Sequence, residues 1–506
     1  MTRSNMGLPA PGHANATSPQ SGPITSMPIR TRPNDRNETA RRYFEHSSAN
    51  RINTDAVIVE SLRKEYPELH LTVVPQGSCN ILGYASAGNA GVAPIDNAKE
   101  RLSWRSYIPP ASRLNGSGGL GDRVMFGKYL IDWKSREFVL YLSDGRDGSS
   151  AYPQVVNQYV LSSSVDATNR LLMEAGQWSA QLHDEVWVFD GGNWQKSSEL
   201  WKSVHKASWD DVILDPAMKE SIRNDVDSFF DSRDTYERLK VPWKRGIIYY
   251  GPPGNGKTIS VKAIMHSLYD RKDPIPTLYV RNLVSYGGPE YAIQLIFSLA
   301  RRTAPCLLVF EDLDSIITDN VRSYFLNEVD GIRSNDGILM IGSTNHLDRL
   351  DPGLAKRPSR FDRKYLFPNP NEKEREAYMK YWQAKLKENK DLDFPDKLCP
   401  AVAKITKDFS FAYLQEAMVA SLLAIARGGK DVVCLECLET HDRPTNGSHC
   451  DREATRPFKG LYDYVWSVRQ LDEEDPDLEK LILWREIKKQ VRILREEMGD
   501  EKSVGR

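Results

Sequence analysis

Eight consecutive residues, Gly251, Pro252, Pro253, Gly254, Asn255, Gly256, Lys257 and Thr258, satisfy the pattern G-x-x-x-x-G-K-[ST] of a phosphate-binding loop. Three glycines let the backbone curl so that its N–H groups converge on a polyphosphate. A helix beginning near Lys257 adds the positive end of its dipole at the same point. The Lys257 ammonium can reach the β- and γ-phosphates, and the Thr258 hydroxyl can hold Mg²⁺. The ligands implied are ATP and Mg²⁺.

A second set of polar residues follows. The apolar run 306–310 ends in Glu311, Asp312, Leu313 and Asp314. In that place Glu311 would join Thr258 in holding Mg²⁺, and Asp312 would polarise the attacking water. Asn345 follows another apolar run, 338–342, and could touch the same water. Asp312 is one methylene shorter than a glutamate, and near-attack geometry is sensitive to about 1 Å.

These residues need a scaffold that brings them to one edge. From about residue 205 the sequence alternates short apolar runs with helical patterns, the signature of a parallel sheet. The expected strands are 246–250, 277–281, 306–310, 338–342 and 364–367, with a helix over 258–269. Right-handed crossovers would place the carboxyl ends of these strands on one edge, where ligands bind. After Pro370 the chain reads as helical, as a lid would.

The fold expected is therefore α/β, a P-loop core with a C-terminal helical lid, preceded by an α+β N-domain. A disordered tail covers 1–45, the strand-rich N-domain 46–205, the core 206–370 and the lid 371–506. The lid is interrupted by an inserted loop near 428–460 and ends in an amphipathic helix marked by Leu481, Trp484, Ile487, Val491, Leu494 and Met498. Packing of that helix onto the lid is the plainer reading, and a short coiled coil with a partner the sharper one. In the N-domain, helices are expected over 55–66 and 166–182 and strands over 70–74, 123–126, 137–142 and 185–189. Asp190, Gly191, Gly192 and Asn193 form a hairpin turn candidate. The tryptophans at 104, 133, 178, 187, 194 and 201 read as core or packing residues.

The ordered set of loop, Glu311–Asp312, Asn345 and the run ending in Arg360, Phe361, Asp362 and Arg363 resembles the AAA family of ATPases, within the AAA+ class. The resemblance covers about 205–425 and includes a lid-helix segment over 406–414. It implies Mg²⁺-dependent hydrolysis of ATP to ADP and phosphate, with Asn345 in the sensor-1 position. It also implies that Arg360 and Arg363 are arginine fingers, reaching the γ-phosphate held by a neighbouring subunit. The family accordingly works as rings, usually homohexamers, that remodel or move protein substrates. Tyr286, Gly287 and Gly288 resemble the aromatic–x–glycine loop that many members point into a central channel, with Tyr291 nearby. A narrower resemblance, carried by 187–194, 208–214, 227–231 and 242–246, is to the branch of the mitochondrial inner-membrane AAA chaperone that translocates the Rieske iron–sulfur protein. The Glu311–Asp312 order is shared with that branch, whereas its N-terminal membrane span has no counterpart here.

Composition narrows the classes further. The 506 residues carry 68 basic and 69 acidic side chains, a net charge of −1, so no polycationic character points to nucleic acid. Six cysteines suggest a reducing compartment rather than a disulfide framework. No run approaches about 18 apolar residues, so no transmembrane segment is expected. Six prolines before residue 34 oppose the amphipathic helix of a transit peptide. A cytoplasmic location is the default, with a mitochondrial one open. Cys434, Cys437, His441, His449 and Cys450 cluster in the inserted loop. They could hold Zn²⁺, although free thiols are the default. Two other function classes stay open: a nucleotide-gated scaffold with little turnover, and a nucleic-acid motor or loader.

Overall fold

A computed structural model describes residues 41–42, 45, 54–96, 100–110, 112, 114, 116–144, 156–330, 333–355, 360–389, 392–427 and 459–504. The tail and the Cys434, Cys437, His441, His449 and Cys450 cluster lie outside the described residues. The chain divides into two compact units, 1–181 and 182–506.

The first unit contains α1 (Thr54–Glu65), β1 (His70–Pro75), β2 (Gly91–Pro94), β3 (Leu102–Ile108), β4 (Gly119–Trp133), β5 (Arg136–Asp144), β6 (Val156–Ser162) and α2 (Val165–Ala180). Its strands form one sheet in the order β1-β6-β5-β4-β2, with β3 paired to the first half of β4. All these pairings are antiparallel. Alternating side chains face opposite sides of such a sheet. Tyr141, Tyr159 and Leu161 accordingly pack with Leu62 and Ile58 of α1, whereas Leu140 and Val160 pack with Ala167, Leu171 and Ala175 of α2. β4 runs well beyond the expected 123–126, because its first half pairs with β3, whose residues are all exposed. Trp133 is buried as expected, whereas Trp104 on β3 is exposed, which corrects its reading as a core residue.

The second unit begins with a hairpin, β7 (Val186–Asp190) and β8 (Asn193–Ser197), followed by α3 (Ser198–His205), α4 (Pro216–Asp231) and α5 (Arg233–Leu239). Then come β9 (Lys244–Tyr250), α6 (Lys257–Tyr269), β10 (Thr277–Val280), α7 (Pro289–Thr303), β11 (Cys306–Phe310), α8 (Asp319–Asp330), β12 (Ile338–Thr344) and β13 (Arg363–Leu366). The seven-stranded sheet has the order β13-β9-β12-β11-β10-β7-β8 and is parallel except for β7–β8. Strands covered on both faces read as continuous apolar runs, and Ile247, Ile248 and Tyr249 of β9 are fully buried. Ile296, Phe297, Phe325 and Val329 of α7 and α8 cover one face. Val204, Ile222, Phe229, Ile264 and Leu268 of α3, α4 and α6 cover the other.

The hairpin is a departure from the sequence reading, which gave 185–205 to the N-domain. β7 pairs in parallel with β10, Trp187 opposite Leu278 and Phe189 opposite Val280. It satisfies the outer backbone edge of β10 and so extends the second sheet. The turn itself is as expected: Gly191 (φ 59°) and Gly192 (φ 85°) both take the left-handed backbone that a two-residue hairpin loop requires.

The chain continues as α9 (Glu372–Lys385), α10 (Leu398–Ile405), α11 (Phe411–Ala426), α12 (Lys459–Glu474) and α13 (Ile482–Val504). They share a core that includes Met379, Phe409, Leu414, Met418 and Trp484. Leu481, Trp484, Ile487, Val491, Leu494 and Met498 all turn into that core, so the amphipathic stripe is satisfied within this unit. No described helix is long and apolar enough to cross a membrane.

Trp484 is fully buried, and its indole N–H donates to Asp472 Oδ1 at 3.0 Å. Trp484→Ala should lower stability by about 3–5 kcal/mol, measured by denaturant unfolding. The exposed Trp466→Ala should change it by less than about 0.5 kcal/mol.

Candidate nucleotide-binding site

β9 lies between β12 and β13, so the chain leaves its carboxyl end at the point where strand order reverses. That is where ligands bind in open α/β sheets. The loop there is made possible by close backbone approach. A Cβ on Gly251 (φ 139°) would meet Phe367 O at 2.2 Å, and one on Gly254 (φ 76°) would meet Ala412 Cβ at 2.5 Å. Gly256 (φ 91°) is the left-handed residue from which α6 starts. Pro252, Pro253 and Thr258 are exposed, whereas Asn255 and Lys257 are buried. Asn255 Nδ2 donates to Asn369 Oδ1 at 2.8 Å, and Asn369 Nδ2 to Asp408 O at 3.1 Å. Ala412 N donates to Gly254 O at 3.1 Å. The loop is thus tied both to the sheet and to the start of α11.

A cavity of about 420 Å³ opens at this loop. Gly254, Gly256, Lys257, Thr258, Asp312, Ser343 and Asn345 supply its polar part. Val212, Ile213, Tyr378, Phe411 and Ala412 supply its apolar part, and Asp211 and Gln415 also line it. The Lys257 ammonium donates to Gly251 O at 2.8 Å and Pro252 O at 2.9 Å. Burial lowers its pKa, while Asp312 and Asp314 act in the opposite direction.

The two adjacent carboxylates part company. Asp312 lines the cavity, with its backbone in the left-handed region (φ 50°, ψ 53°) and its N–H donating to Ser343 Oγ at 3.3 Å. A non-glycine residue there stores strain of about 1–3 kcal/mol, a cost met most often at functional sites. Glu311 does not line the cavity. Its Oε2 accepts a hydrogen bond from the Tyr279 hydroxyl of β10, and its Oε1 is buried with no partner among the described residues. Burial, then the Glu311 charge, push the Tyr279 phenol well up. Thr258 and Asp312 share one cavity, whereas Glu311, the expected partner of Thr258, is engaged with Tyr279. Asp314 is near enough to act on Lys257 and accepts from Thr344 Oγ1 at 2.6 Å.

Neither Arg360 nor Arg363 lines the cavity. Arg360 is buried, holding Asp330 through Nε at 2.8 Å and Nη2 at 2.5 Å and donating to Gly353 O at 2.6 Å. Arg363 Nε lies 3.2 Å from Asp225 Oδ2, and about half of its side chain is exposed. Within this chain, then, Arg360 is a structural cation, and Arg363 retains the greater reach. Tyr286 is fully exposed on the loop after β10. Gly287 N donates to Ser285 Oγ at 3.1 Å, and Gly288 (φ 87°) leads into α7.

Residues 247–369 match the family described as ATPase family associated with various cellular activities (AAA). An AAA ATPase domain occupies this part of the chain. It spans the phosphate loop, Glu311, Asp312, Asn345, Arg360 and Arg363, and supports a general ATPase activity. The parallel sheet with flanking helices fits the P-loop AAA+ fold. Sequence reasoning missed Val212, Ile213, Tyr378, Phe411 and Gln415 as cavity residues. Their types carry no chemical signal, and only packing brings them beside the loop. Asp314, by contrast, stood in the acidic run and could have been found there.

Gly254→Ala should weaken ATP binding at least about tenfold, since the added methyl strains the backbone and collides with Ala412. Gly176→Ala, within α2, where a Cβ meets nothing within 4 Å, should leave it unchanged; titration with a fluorescent nucleotide reads both. ATP affinity should also fall as pH rises into the alkaline range. Because burial depresses its pKa, Lys257 loses its proton earlier than an ordinary lysine, and only the protonated form attracts phosphate.

Proposed function

We propose that this protein is a Mg²⁺-dependent ATPase of the mechanoenzyme kind, using turnover to remodel or move protein substrates. The observation that supports it most is one cavity shared by Lys257, Thr258, Asp312 and Asn345 with the first residues of α11. The loop amides and Lys257 would bind the polyphosphate. Val212, Ile213, Tyr378 and Phe411 would flank the base with apolar surface. Thr258 and Asp312 offer the hard oxygen donors that Mg²⁺ takes, and the partnerless Oε1 of Glu311 is a third oxygen one residue away. Bound Mg²⁺ supplies charge neutralisation on the phosphate oxygens. Asn345 would orient the attacking water, and Asp312 or Glu311 would polarise it.

The C-terminal helices act as a lid in this reading. α11 touches Gly254 directly, so a change in the loop reaches Ala412 and the core behind it. A hexameric ring would let Arg363 of one subunit reach the nucleotide of the next, with Arg360 organising the loop that carries it. Tyr286 would grip an extended peptide through its exposed ring. The scaffold alternative draws on the hydrogen bond that engages Glu311 with Tyr279. A nucleic-acid motor has no comparable support.

Mg²⁺-dependent ATP hydrolysis, followed against protein concentration, tests the proposal. Specific activity should rise steeply with concentration and vanish in Lys257→Ala. Asp312→Asn should retain ATP binding and lose at least about 100-fold in turnover. Wild-type hydrolysis no higher than that of Lys257→Ala at every concentration, with ATP still bound, would install the scaffold reading. Tyr286→Ala should keep basal hydrolysis and lose substrate remodelling.

A further inference from the structure

On the face of the second sheet covered by α3 and α6, three side chains with metal-binding atoms converge. These are His205 in the last turn of α3, His266 in the last turn of α6, and Asp270, the residue that caps α6. One ligand atom from each lies within 4.8 Å of the other two. We propose that they form a binding site for a divalent transition cation of the Zn²⁺ class, outside the nucleotide cavity.

The geometry fits that class. A tetrahedral ion with ligands at about 2.0–2.1 Å separates neighbouring donor atoms by about 3.4 Å. His266 Nε2 and Asp270 Oδ2 already stand 3.3 Å apart, one helical turn from each other. The imidazole of His205 lies beside that of His266, with ring centroids 4.6 Å apart. The exposed His205 would supply the third ligand and leave a fourth position for water, within a mixed nitrogen and oxygen set that suits Zn²⁺.

Two outer contacts orient the ligands. His266 Nδ1 lies 2.6 Å from Ala207 O; its N–H donates there, which leaves Nε2, beside Asp270 Oδ2, as the nitrogen that carries the lone pair in the neutral ring. A metal-ligating histidine typically has such a carbonyl behind it. The His205 ring stacks on Trp201, with centroids 4.4 Å apart and planes 15° from parallel. Asp270 is an acid at the carboxyl end of a helix, where the dipole disfavours negative charge and a cation offsets it.

The site would clip the end of α3 to the end of α6. Ala207 lies two residues beyond the end of α3, and the same segment runs on to Asp211, Val212 and Ile213 at the nucleotide cavity. α6 itself begins at Lys257. A cation here would therefore fix both elements that carry that wall and the phosphate loop.

The test uses the full chain with Cys434→Ser, Cys437→Ser and Cys450→Ser, so that no thiolate in the inserted segment competes. Zn²⁺ alone is titrated calorimetrically, and Co²⁺ absorption reports coordination. The expected result is one Zn²⁺ per chain, a tetrahedral Co²⁺ spectrum and a rise in unfolding temperature with Zn²⁺. His205→Ala and Asp270→Asn should each weaken binding more than about 100-fold, beyond the loss of an outer-sphere contact, and abolish the thermal shift. Both variants should match the parent in unfolding without metal, which separates lost ligation from lost folding. Absence of binding, or an isotherm unchanged in both variants, overturns the proposal.

Discussion

The close approach of backbone to backbone at the phosphate loop is the constraint on which the rest depends. Gly251 is pressed against the chain leaving β13, and Gly254 against the first residues of α11. A side chain at either place would displace a sheet strand or the C-terminal helices. The same compactness starts α6 at Lys257 and brings Ala412 within a hydrogen bond of Gly254 O. Phosphate chemistry and the position of α11 are thus two consequences of one steric fact.

Electrostatics then distributes roles among residues that look interchangeable in sequence. Lys257 is buried, which disfavours its charge, and Asp312 and Asp314 restore part of what burial removes. Glu311, one residue earlier, meets Tyr279 instead. The Asp312 backbone, held in the left-handed region, turns its carboxylate into the cavity.

The added hairpin ties the edge of the sheet to the exposed aromatic loop. Asp190 in its turn accepts from Asn282 Nδ2 at 2.7 Å and pairs with Arg281 at 3.4 Å. A Cβ on Gly192 would come within 3.0 Å of the Ser285 backbone. The segment that presents Tyr286 is therefore braced from below by β7–β8, while Tyr286 itself projects into solvent. This explains why a strand that reads as part of the preceding region belongs with the AAA domain's sheet.

By itself the sequence determined whatever local pattern encodes. The glycine spacing marked the phosphate loop, the buried apolar runs marked β9 to β12 to within two residues, and the three- and four-residue steps marked the buried face of α13. Tertiary structure alone decided what depends on contact between distant segments. Strand order placed β7 beside β10, although nothing in 185–189 says which sheet it joins. Packing made Arg360 a buried partner of Asp330 and left Arg363 half exposed, although both lie in one short motif. The apolar residues of the cavity and the His205, His266 and Asp270 cluster come from segments that meet only through folding. A linear pattern reports backbone geometry and periodicity, whereas burial, charge partners and ligand sets are properties of a surface assembled from several segments.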